Sequence, residues 1–286
     1  MTLAQLYRRC RRELTGETAD FDLSQLFRAF FSDAPGLCFS EKPVDERDAF
    51  VFYRRVRRLA EGYPLQYLLG EWEFYGIPLK VGEGVLIPQP DTETLVDTAL
   101  ELAAPIKTPV IADYCAGSGA IALALAAHLP RASLYAVELS PDALGYLRQN
   151  VQESPNGGRI AVVEGDVCAP LALPPLDLIV SNPPYLTPEE LEGAPPQVRC
   201  EPPMALLGGE QGLDFYRAIA ANAAEALRAG GWLVFECGWR QAGDVLDILK
   251  GSGYTDLSTR RDLCGVQRCV YAKNPKRRQT NGAGEN

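Results

Sequence analysis

The spacing of apolar residues differs between the first part of the chain and the rest. In residues 1–72, apolar positions recur at helical intervals, as they do at Leu3, Leu6, Tyr7, Cys10 and Leu14. The same spacing runs through Leu23–Phe31 and Asp45–Glu61, and it gives each helix one apolar face. We therefore expect residues 1–72 to form a small helical domain.

After residue 88, short apolar runs alternate with amphipathic stretches. The runs that we predict as strands are Pro109–Tyr114, Ser133–Glu138, Ile160–Glu164, Leu176–Val180 and Trp232–Glu236. The stretches that we predict as helices are Gly119–His128, Pro141–Glu153, Asp214–Arg228 and Gln241–Gly251, followed by a closing hairpin. This alternation predicts an α/β domain at residues 89–274, in which a mostly parallel sheet is wrapped by helices.

Two further segments complete the expected organisation. Phe74–Val81 has the pattern of a short hairpin, and Pro78 keeps it from being a central strand because proline lacks an N–H group. Residues 73–88 are therefore expected to connect the two domains. Residues 275–286 are basic and then rich in Gly and Asn, which predicts a disordered tail.

The charge and the cysteine spacing exclude several kinds of protein. The chain of 286 residues has a formal net charge of −9, which argues against a surface that binds a phosphate backbone. Its eight cysteines include no C-x-x-C pair, so we expect no metal site and reduced thiols in a cytoplasmic protein. The apolar run Ala120–Ala127 is too short to span a bilayer, and the amino terminus lacks a signal-peptide pattern.

The sequence Asn182-Pro183-Pro184-Tyr185 directly follows a predicted buried strand. Open parallel sheets bind their ligands beyond the carboxyl ends of the strands. Two prolines remove two donors, so the side-chain oxygen of Asn182 and the carbonyls after it form a cluster of acceptors. Such a cluster can receive both hydrogens of a planar NH2 group, with the ring of Tyr185 beside it. These four residues are the predicted catalytic site, and a Pro-rich turn is the alternative interpretation.

A glycine turn joins the first predicted strand of the α/β domain to the helix after it. Its candidate ligand-binding residues are Asp113, Cys115, Ala116, Gly117, Ser118 and Gly119. Glu138 ends the next strand and is expected to bind ribose hydroxyls, while Asp166 and Val167 follow the third strand and are expected near an adenine ring. Acidic strand ends repel pyrophosphate and favour a cationic ligand with a ribose, such as S-adenosylmethionine. Asn182 is expected to contact this ligand as well. Each carboxylate alone could instead be a helix cap or lie in a solvated loop.

The chain resembles the class I methyltransferases, and among them the PrmC/HemK family of release-factor glutamine-N5 methyltransferases. The resemblance covers most of residues 1–274 and rests on the glycine turn, Asn182–Tyr185, Pro64–Tyr67, Leu86–Glu93, Ala120–Ala124 and Val198–Pro202. It implies a Rossmann-like methyltransferase domain, a helical domain that docks the substrate, and S-adenosylmethionine as cofactor. The implied acceptor is the side-chain amide of the glutamine in the Gly-Gly-Gln motif of peptide-chain release factors.

Two residues depart from the family pattern. Cys115 stands where the family usually has Gly, so the turn must adopt a φ that a side chain tolerates. Gln89 stands where the family usually has Arg. His128, the single histidine, ends a predicted helix, which favours a structural role over catalysis.

Other functions stay open at this stage. Asn-Pro-Pro-Tyr also suits an adenine-N6 methyltransferase that acts on nucleic acid, and the chain could be a non-catalytic module that binds S-adenosylmethionine. Two arginine stripes, at residues 8–12 and 54–58, are either solvated or dock an acidic or RNA-associated partner. We expect a monomer that acts on release factors, with no stable binding to nucleic acid or membranes.

Overall fold

The computed structural model describes residues 1–32 and 36–275. Its N-terminal part is helical, with α1 (Leu3–Arg11), α2 (Ala19–Phe31), α3 (Glu46–Ala60) and α4 (Leu65–Leu69). Thr2 forms a capping box at the start of α1, and Asp45 accepts hydrogen bonds from the first amides of α3. The apolar faces of the helices meet in a cluster that contains Leu23 and Phe52. The predicted helical region is confirmed.

A two-stranded hairpin follows the helical region. It pairs β1 (Glu71–Phe74) with β2 (Ile77–Lys80) in antiparallel register. The two residues of the turn, Tyr75 and Gly76, have φ angles of 54° and 73°, as tight hairpin turns require. Pro78 lies in β2, where it faces Glu73, and within residues 1–32 and 36–275 this sheet has two strands.

The main sheet consists of β3 (Val110–Tyr114), β4 (Ser133–Glu138), β5 (Ile160–Glu164), β6 (Leu176–Ser181), β7 (Leu227–Glu236), β8 (Thr255–Arg261) and β9 (Gln267–Lys273). Within the described residues, the strand order is β5-β4-β3-β6-β7-β9-β8. The first five strands in this order run parallel, whereas β9 and β8 continue the sheet in antiparallel pairing. The predicted mostly parallel α/β fold is confirmed.

Helices cover both faces of this sheet. They are α5 (Glu93–Ala103), α6 (Ala120–His128), α7 (Pro141–Glu153), α11 (Asp214–Ala226) and α12 (Ala242–Gly251). Three short helices, α8 (Pro188–Gly193), α9 (Pro196–Arg199) and α10 (Pro203–Leu206), lie between β6 and α11 in the sequence. One core cluster contains Leu95, Leu123 and Leu147 of α5, α6 and α7. The cluster on the opposite face contains Ile219 of α11 and Val245 of α12. The carboxyl ends of β3 to β6 thus emerge between two packed helical layers.

Several elements differ from the sequence-based expectation. The short helices α8, α9 and α10 were not predicted, and β1 begins at Glu71 rather than at Phe74. Helix α5 was not predicted, because the prolines before it indicate a loop; Pro90 instead begins a 3-10 turn that leads into the helix. Strand β7 begins at Leu227 rather than Trp232, and Gly230, which has a φ of 80°, lies within it. A register shift against β6 absorbs this irregular start.

The expected tail falls almost wholly outside the part of the chain that the structure describes, because that part ends at residue 275. Across residues 1–32 and 36–275, the structure contains no helix with the length and apolar character needed to cross a membrane.

Candidate active site

A cavity lies at the carboxyl ends of β3 to β6. The turn from Cys115 to Ser118 forms its floor, and Glu138 and the segment Gly165–Val167 stand in its wall. Asn182 and Pro184 border it after β6. Its opposite side is formed by residues of the segments 84–89 and 202–205. The location is the one at which open parallel sheets bind ligands.

The glycine turn has an alternating left-handed backbone. The φ angles of Cys115, Gly117 and Gly119 are 60°, 56° and 87°. A Cβ built on Gly117 would have only Val85 nearby, at 4.0 Å, so the backbone at Gly117 is open to the cavity. Cys115 adopts the left-handed conformation in spite of its side chain, which costs about 1–2 kcal/mol relative to glycine. The turn therefore keeps at Cys115 a left-handed φ, which a side chain tolerates only at this cost.

Asp113 lies beneath the turn and does not line the cavity. Its Oδ2 accepts a hydrogen bond of 3.0 Å from the amide of Ala122 in the first turn of α6. Its Oδ1 is buried without a partner among the described residues. Burial raises the pKa of Asp113 to about 8, against the opposing effect of the Ala122 hydrogen bond. Asp113 thus joins β3 to α6 and supports the turn from below.

Glu138 holds the turn from the side. Its Oε2 accepts a hydrogen bond of 2.7 Å from the amide of Gly117, and its Oε1 accepts bonds of 2.8 Å from Leu139 and Ser140. Oε2 keeps a further lone pair for a ligand hydroxyl, whereas the two backbone amides occupy both lone pairs of Oε1. Asp166 stabilises the turn after β5, because its Oδ1 accepts a hydrogen bond of 2.8 Å from the amide of Cys168.

The Asn182 amide has a defined orientation. Its Nδ2 donates a hydrogen bond of 3.2 Å to Oγ1 of Thr92, which also lines the cavity. This leaves the opposite end of the amide, Oδ1, as an acceptor. The residue before Asn182 fixes the end of β6 to β3, because the Ser181 hydroxyl donates a 2.8 Å hydrogen bond to the carbonyl of Tyr114.

Pro183 and Tyr185 lie behind the cavity wall. Pro183 is buried, and neither residue lines the cavity. The carbonyl of Tyr185 accepts a hydrogen bond of 2.8 Å from Nε2 of Gln241, the residue before α12. Burial raises the pKa of Tyr185, whose nearest charged groups include Glu236 and Arg268. The Tyr185 ring is thus placed beside the end of β7 rather than beside the cavity.

Two motifs that carried the family resemblance meet above the cavity. The amide of Ile87 donates a hydrogen bond of 2.8 Å to Oε2 of Glu201, and both residues are buried. Burial raises the pKa of Glu201 to about 7, opposed by this hydrogen bond. Gln89 donates to the carbonyl of Ile87 at 3.1 Å and lines the cavity. Glu201 therefore anchors the segment that forms this side of the site.

Thr92 and Glu236 were missed as candidate site residues. Thr92 is buried beside Asn182, and Glu236 is buried at the end of β7. The signal for Glu236 was available, because it ends a parallel strand as Glu138 does. Thr92 gave no comparable signal, since its neighbour lies 90 residues away in the sequence.

The comparisons with known proteins decide the family. A family model described as the methyltransferase small domain matches residues 91–195. The release factor glutamine methyltransferase of Moorella thermoacetica is 44% identical over 222 residues, which are 77% of this chain and 78% of the relative. That of Geobacter sulfurreducens is 43% identical over 231 residues, or 80% of each chain. The chain belongs to the release factor glutamine methyltransferase family.

Solved structures agree with the fold of a release factor glutamine methyltransferase. The hMettl16 catalytic domain in complex with MAT2A 3'UTR hairpin 6 matches with a TM-score of 0.59 and 17% identity. The match covers 72% of this chain and 77% of that one. At this identity the likeness shows the fold alone, which is that of the class I methyltransferases.

As a member of the release factor glutamine methyltransferase family, the chain is an S-adenosylmethionine-dependent enzyme, and the predicted cofactor is confirmed. The residues of the cavity fit this group. Gly117 leaves open space above the turn, and the carboxylates of Glu138 and Asp166 stand in the wall. None of the described residues that line the cavity is Lys or Arg, so its charge suits a cationic ligand.

Proposed function

We propose that this enzyme methylates the side-chain amide nitrogen of the glutamine in the Gly-Gly-Gln motif of peptide-chain release factors. The Asn182 amide carries the proposal, because its NH2 end is engaged by Thr92 and its oxygen remains as an acceptor at the cavity. An acceptor at this point suits a substrate with an NH2 group. The names of the relatives from Moorella and Geobacter support release factors as the protein substrate.

The cofactor contacts follow from the cavity wall. Glu138 would accept from the ribose hydroxyls, and Asp166 and Val167 would hold the adenine. The turn formed by Cys115, Ala116, Gly117, Ser118 and Gly119 would hold the methionine part, with Asp113 as its support and Asn182 at its edge. When bound, S-adenosylmethionine supplies an electrophilic methyl group on a positively charged sulfur.

The residues of Asn182–Tyr185 bind and orient the acceptor. An amide nitrogen is a poor nucleophile, because its lone pair is delocalised into the carbonyl. Oδ1 of Asn182 accepts one of its two hydrogens, which directs the nitrogen into the cavity and favours its pyramidal form, whereas Pro183 lies behind the wall and fixes the course of the backbone. Orientation of this kind contributes up to roughly 7–11 kcal/mol in the best intramolecular reactions.

The remaining two residues of the motif, Pro184 and Tyr185, keep its backbone rigid. Pro184 borders the cavity and carries no N–H group that could compete for the acceptors. Tyr185 acts from behind the wall, where Gln241 holds its carbonyl and fixes the course of the backbone. No strong base is required, since a methylated, cationic amide loses its proton readily.

Residues 1–72 are proposed to dock the release factor. Part of the arginine stripes serves the helical region itself, since Arg9 and Arg55 lie over the rings of Tyr53 and Phe30. On α3, however, Phe50 is 62% exposed, and Arg54 is exposed one turn further along the same face. An exposed aromatic ring beside a cation suits an acidic protein surface that also has apolar groups.

Transfer of a tritiated methyl group tests the substrate class. The enzyme is incubated with tritiated S-adenosylmethionine and, in parallel, with release factor or with adenine-containing DNA and RNA oligonucleotides. Label should enter the release factor and not the oligonucleotides, because the net charge of −9 provides no general phosphate-binding face. Labelling of an oligonucleotide at a matching rate would reject the proposal in favour of an adenine-N6 methyltransferase.

A further inference from the structure

We infer that Thr92 and Glu236 are positioning residues that set which end of the Asn182 amide faces the substrate. The inference rests on the proposed function, because it concerns the orientation of the same acceptor. Thr92 borders the cavity with its hydroxyl engaged by Asn182, and Glu236 is not among the residues that line the cavity. Their effect on methyl transfer would pass through Asn182.

The three side chains come from different elements and meet at the wall of the cavity, which Asn182 and Thr92 line. Thr92 ends the 3-10 turn before α5, Glu236 ends β7, and Asn182 follows β6. Thr92 is 5% exposed and Glu236 is 2% exposed. Asn182 donates to Thr92 at 3.2 Å, and both side chains lie close enough to the Glu236 carboxylate to favour its charged form. Oε2 of Glu236 is buried without a hydrogen-bond partner among the described residues, so a donor is wanted there.

The direction of these hydrogen bonds decides the orientation of Asn182. The two ends of an amide have nearly the same shape, so packing alone does not distinguish them. An ionised carboxylate only accepts, and therefore the single hydroxyl hydrogen of Thr92 points at Glu236. The Thr92 oxygen is then left to accept from Asn182, whose NH2 group turns inward.

An inverted Asn182 would oppose the reaction. With its oxygen turned toward Thr92, the amide would present its NH2 group to the cavity. The substrate glutamine would then meet a donor with its own donor, and one of its hydrogens would lose its partner. A buried donor without a partner is unfavourable and, in addition, leaves the nucleophile misdirected.

The charge of Glu236 maintains this direction, and it is sensitive to pH. Burial raises the pKa of Glu236 to about 7, while the hydrogen bond from Thr92 and the charge of Arg268 lower it. A protonated Glu236 becomes a donor and no longer requires the Thr92 hydroxyl to point at it. The charged and titratable groups that face Glu236 are Asp91, Tyr185, Tyr216, Cys237, Arg268 and Cys269.

Three variants of these two positions separate orientation from packing. Thr92→Val removes the hydroxyl, Thr92→Ser keeps it, and Glu236→Gln removes the charge. Thr98→Val is the matched control, since Thr98 is also buried and donates to the carbonyl of Thr94 within α5, outside the cavity. Steady-state methylation of release factor gives kcat and KM, and calorimetry gives the Kd of S-adenosylmethionine.

We expect Thr92→Val to lower kcat about tenfold or more, with the Kd of the cofactor within about twofold of wild type. Thr92→Ser should recover most of the lost rate, and Thr98→Val should leave it unchanged. In wild type, kcat should rise as the pH passes upward through about 7, where Glu236 loses its proton. Glu236→Gln should be slower and should lack this step.

Several results would overturn the inference. One is a Thr92→Val enzyme with wild-type kcat, and another is a Thr92→Ser enzyme as slow as Thr92→Val. A pH step retained in Glu236→Gln would do the same, and this variant carries the test if Thr92→Val does not fold. A wild-type enzyme that fails to methylate release factor would instead reject the proposed function, so the two failures are distinguishable.

Discussion

Asn182 and Glu138 lie on the same cavity, yet their proposed roles differ in what a substitution should change. Asn182 presents an acceptor to the substrate, whereas Glu138 holds the Gly117 amide and faces the proposed ribose position. Loss of the first should therefore affect methyl transfer, and loss of the second should affect cofactor binding.

Asn182→Ala should reduce methyl transfer by at least about a hundredfold and leave the Kd of S-adenosylmethionine within a few-fold, since a lost hydrogen bond and a misdirected nucleophile add together. Asn222→Ala is the matched control. Asn222 lies on α11, outside the cavity, and its side chain donates to the carbonyl of Cys168. Calorimetry and single-turnover kinetics give the two quantities. A cofactor affinity that collapses together with the rate would refute this division of roles.

Glu138→Ala should weaken S-adenosylmethionine about tenfold or more, because charge-assisted hydrogen bonds contribute roughly 1.5–3 kcal/mol each. The Kd is measured by calorimetry, and thermal unfolding reports whether the turn has loosened. Glu164→Ala serves as control, since Glu164 ends the neighbouring strand but pairs with Arg148 and does not line the cavity. An unchanged Kd in a folded Glu138→Ala enzyme would exclude the ribose contact.

The sequence could predict which residues lie at the ends of the strands better than it could predict whether their side chains face the cavity. The end of each strand was predicted well, so Glu138, Asp166 and Asn182 were placed at one edge of the sheet. Asp113 also ends its strand region, but its carboxylate turns under α6 because the Ala122 amide offers it a partner there. Thr92 could not be predicted, since its role depends on a contact between distant segments.

At the scale of elements, the strongly periodic helices and the buried strands were predictable, and the irregular parts were not. Helix α5 begins in a proline-rich segment, which local pattern assigns to a loop. Strand β7 contains Gly230, which local pattern assigns to a break. In both places tertiary packing overrides local preference: α5 buries Leu95 against the sheet, and β7 is paired on both sides.

Helix α3 offers a test of the docking proposal. The double substitution Phe50→Ala and Arg54→Glu should raise KM for intact release factor about tenfold and leave kcat unchanged, because it removes an apolar contact and reverses a steering charge. A short peptide that contains Gly-Gly-Gln should be methylated as before, since it cannot reach α3 and the cavity together.

The control for this double substitution is Leu263→Ala with Lys250→Glu, which removes another exposed apolar group and reverses another exposed charge. This control should leave the KM for intact release factor and the methylation of the short peptide unchanged. Equal KM values for the α3 variant and wild type on intact release factor would remove the docking role from this face.

For the molecule as a whole, buried carboxyl groups couple stability to pH. Burial raises the pKa of Glu201 and of Glu236 to about 7, and that of Asp113 to about 8. A carboxyl whose pKa is higher in the folded state binds more protons folded than unfolded. Its contribution to stability is present below the unfolded pKa and is lost as the pH rises through the folded pKa.

Glu201→Gln isolates one of these groups, because glutamine can still accept from Ile87. Relative to wild type, the variant should gain stability as the pH rises from the ordinary glutamate value of 4.5 to about 7. Each unit of pKa difference corresponds to about 1.4 kcal/mol. Denaturant unfolding at both ends of this window measures the difference, and a difference that does not vary with pH would contradict the buried-carboxyl account.

The site of methylation is the most direct test of the central claim. Release factor is incubated with S-adenosylmethionine and either wild-type enzyme or Asn182→Ala, and tandem mass spectrometry then locates the added methyl group. The account predicts one methyl group on the glutamine of Gly-Gly-Gln with wild-type enzyme, and none with Asn182→Ala or with a release factor in which that glutamine is replaced by glutamate. A methyl group on any other residue would contradict the account. An unmodified glutamine after incubation with folded wild-type enzyme that binds S-adenosylmethionine would contradict it as well.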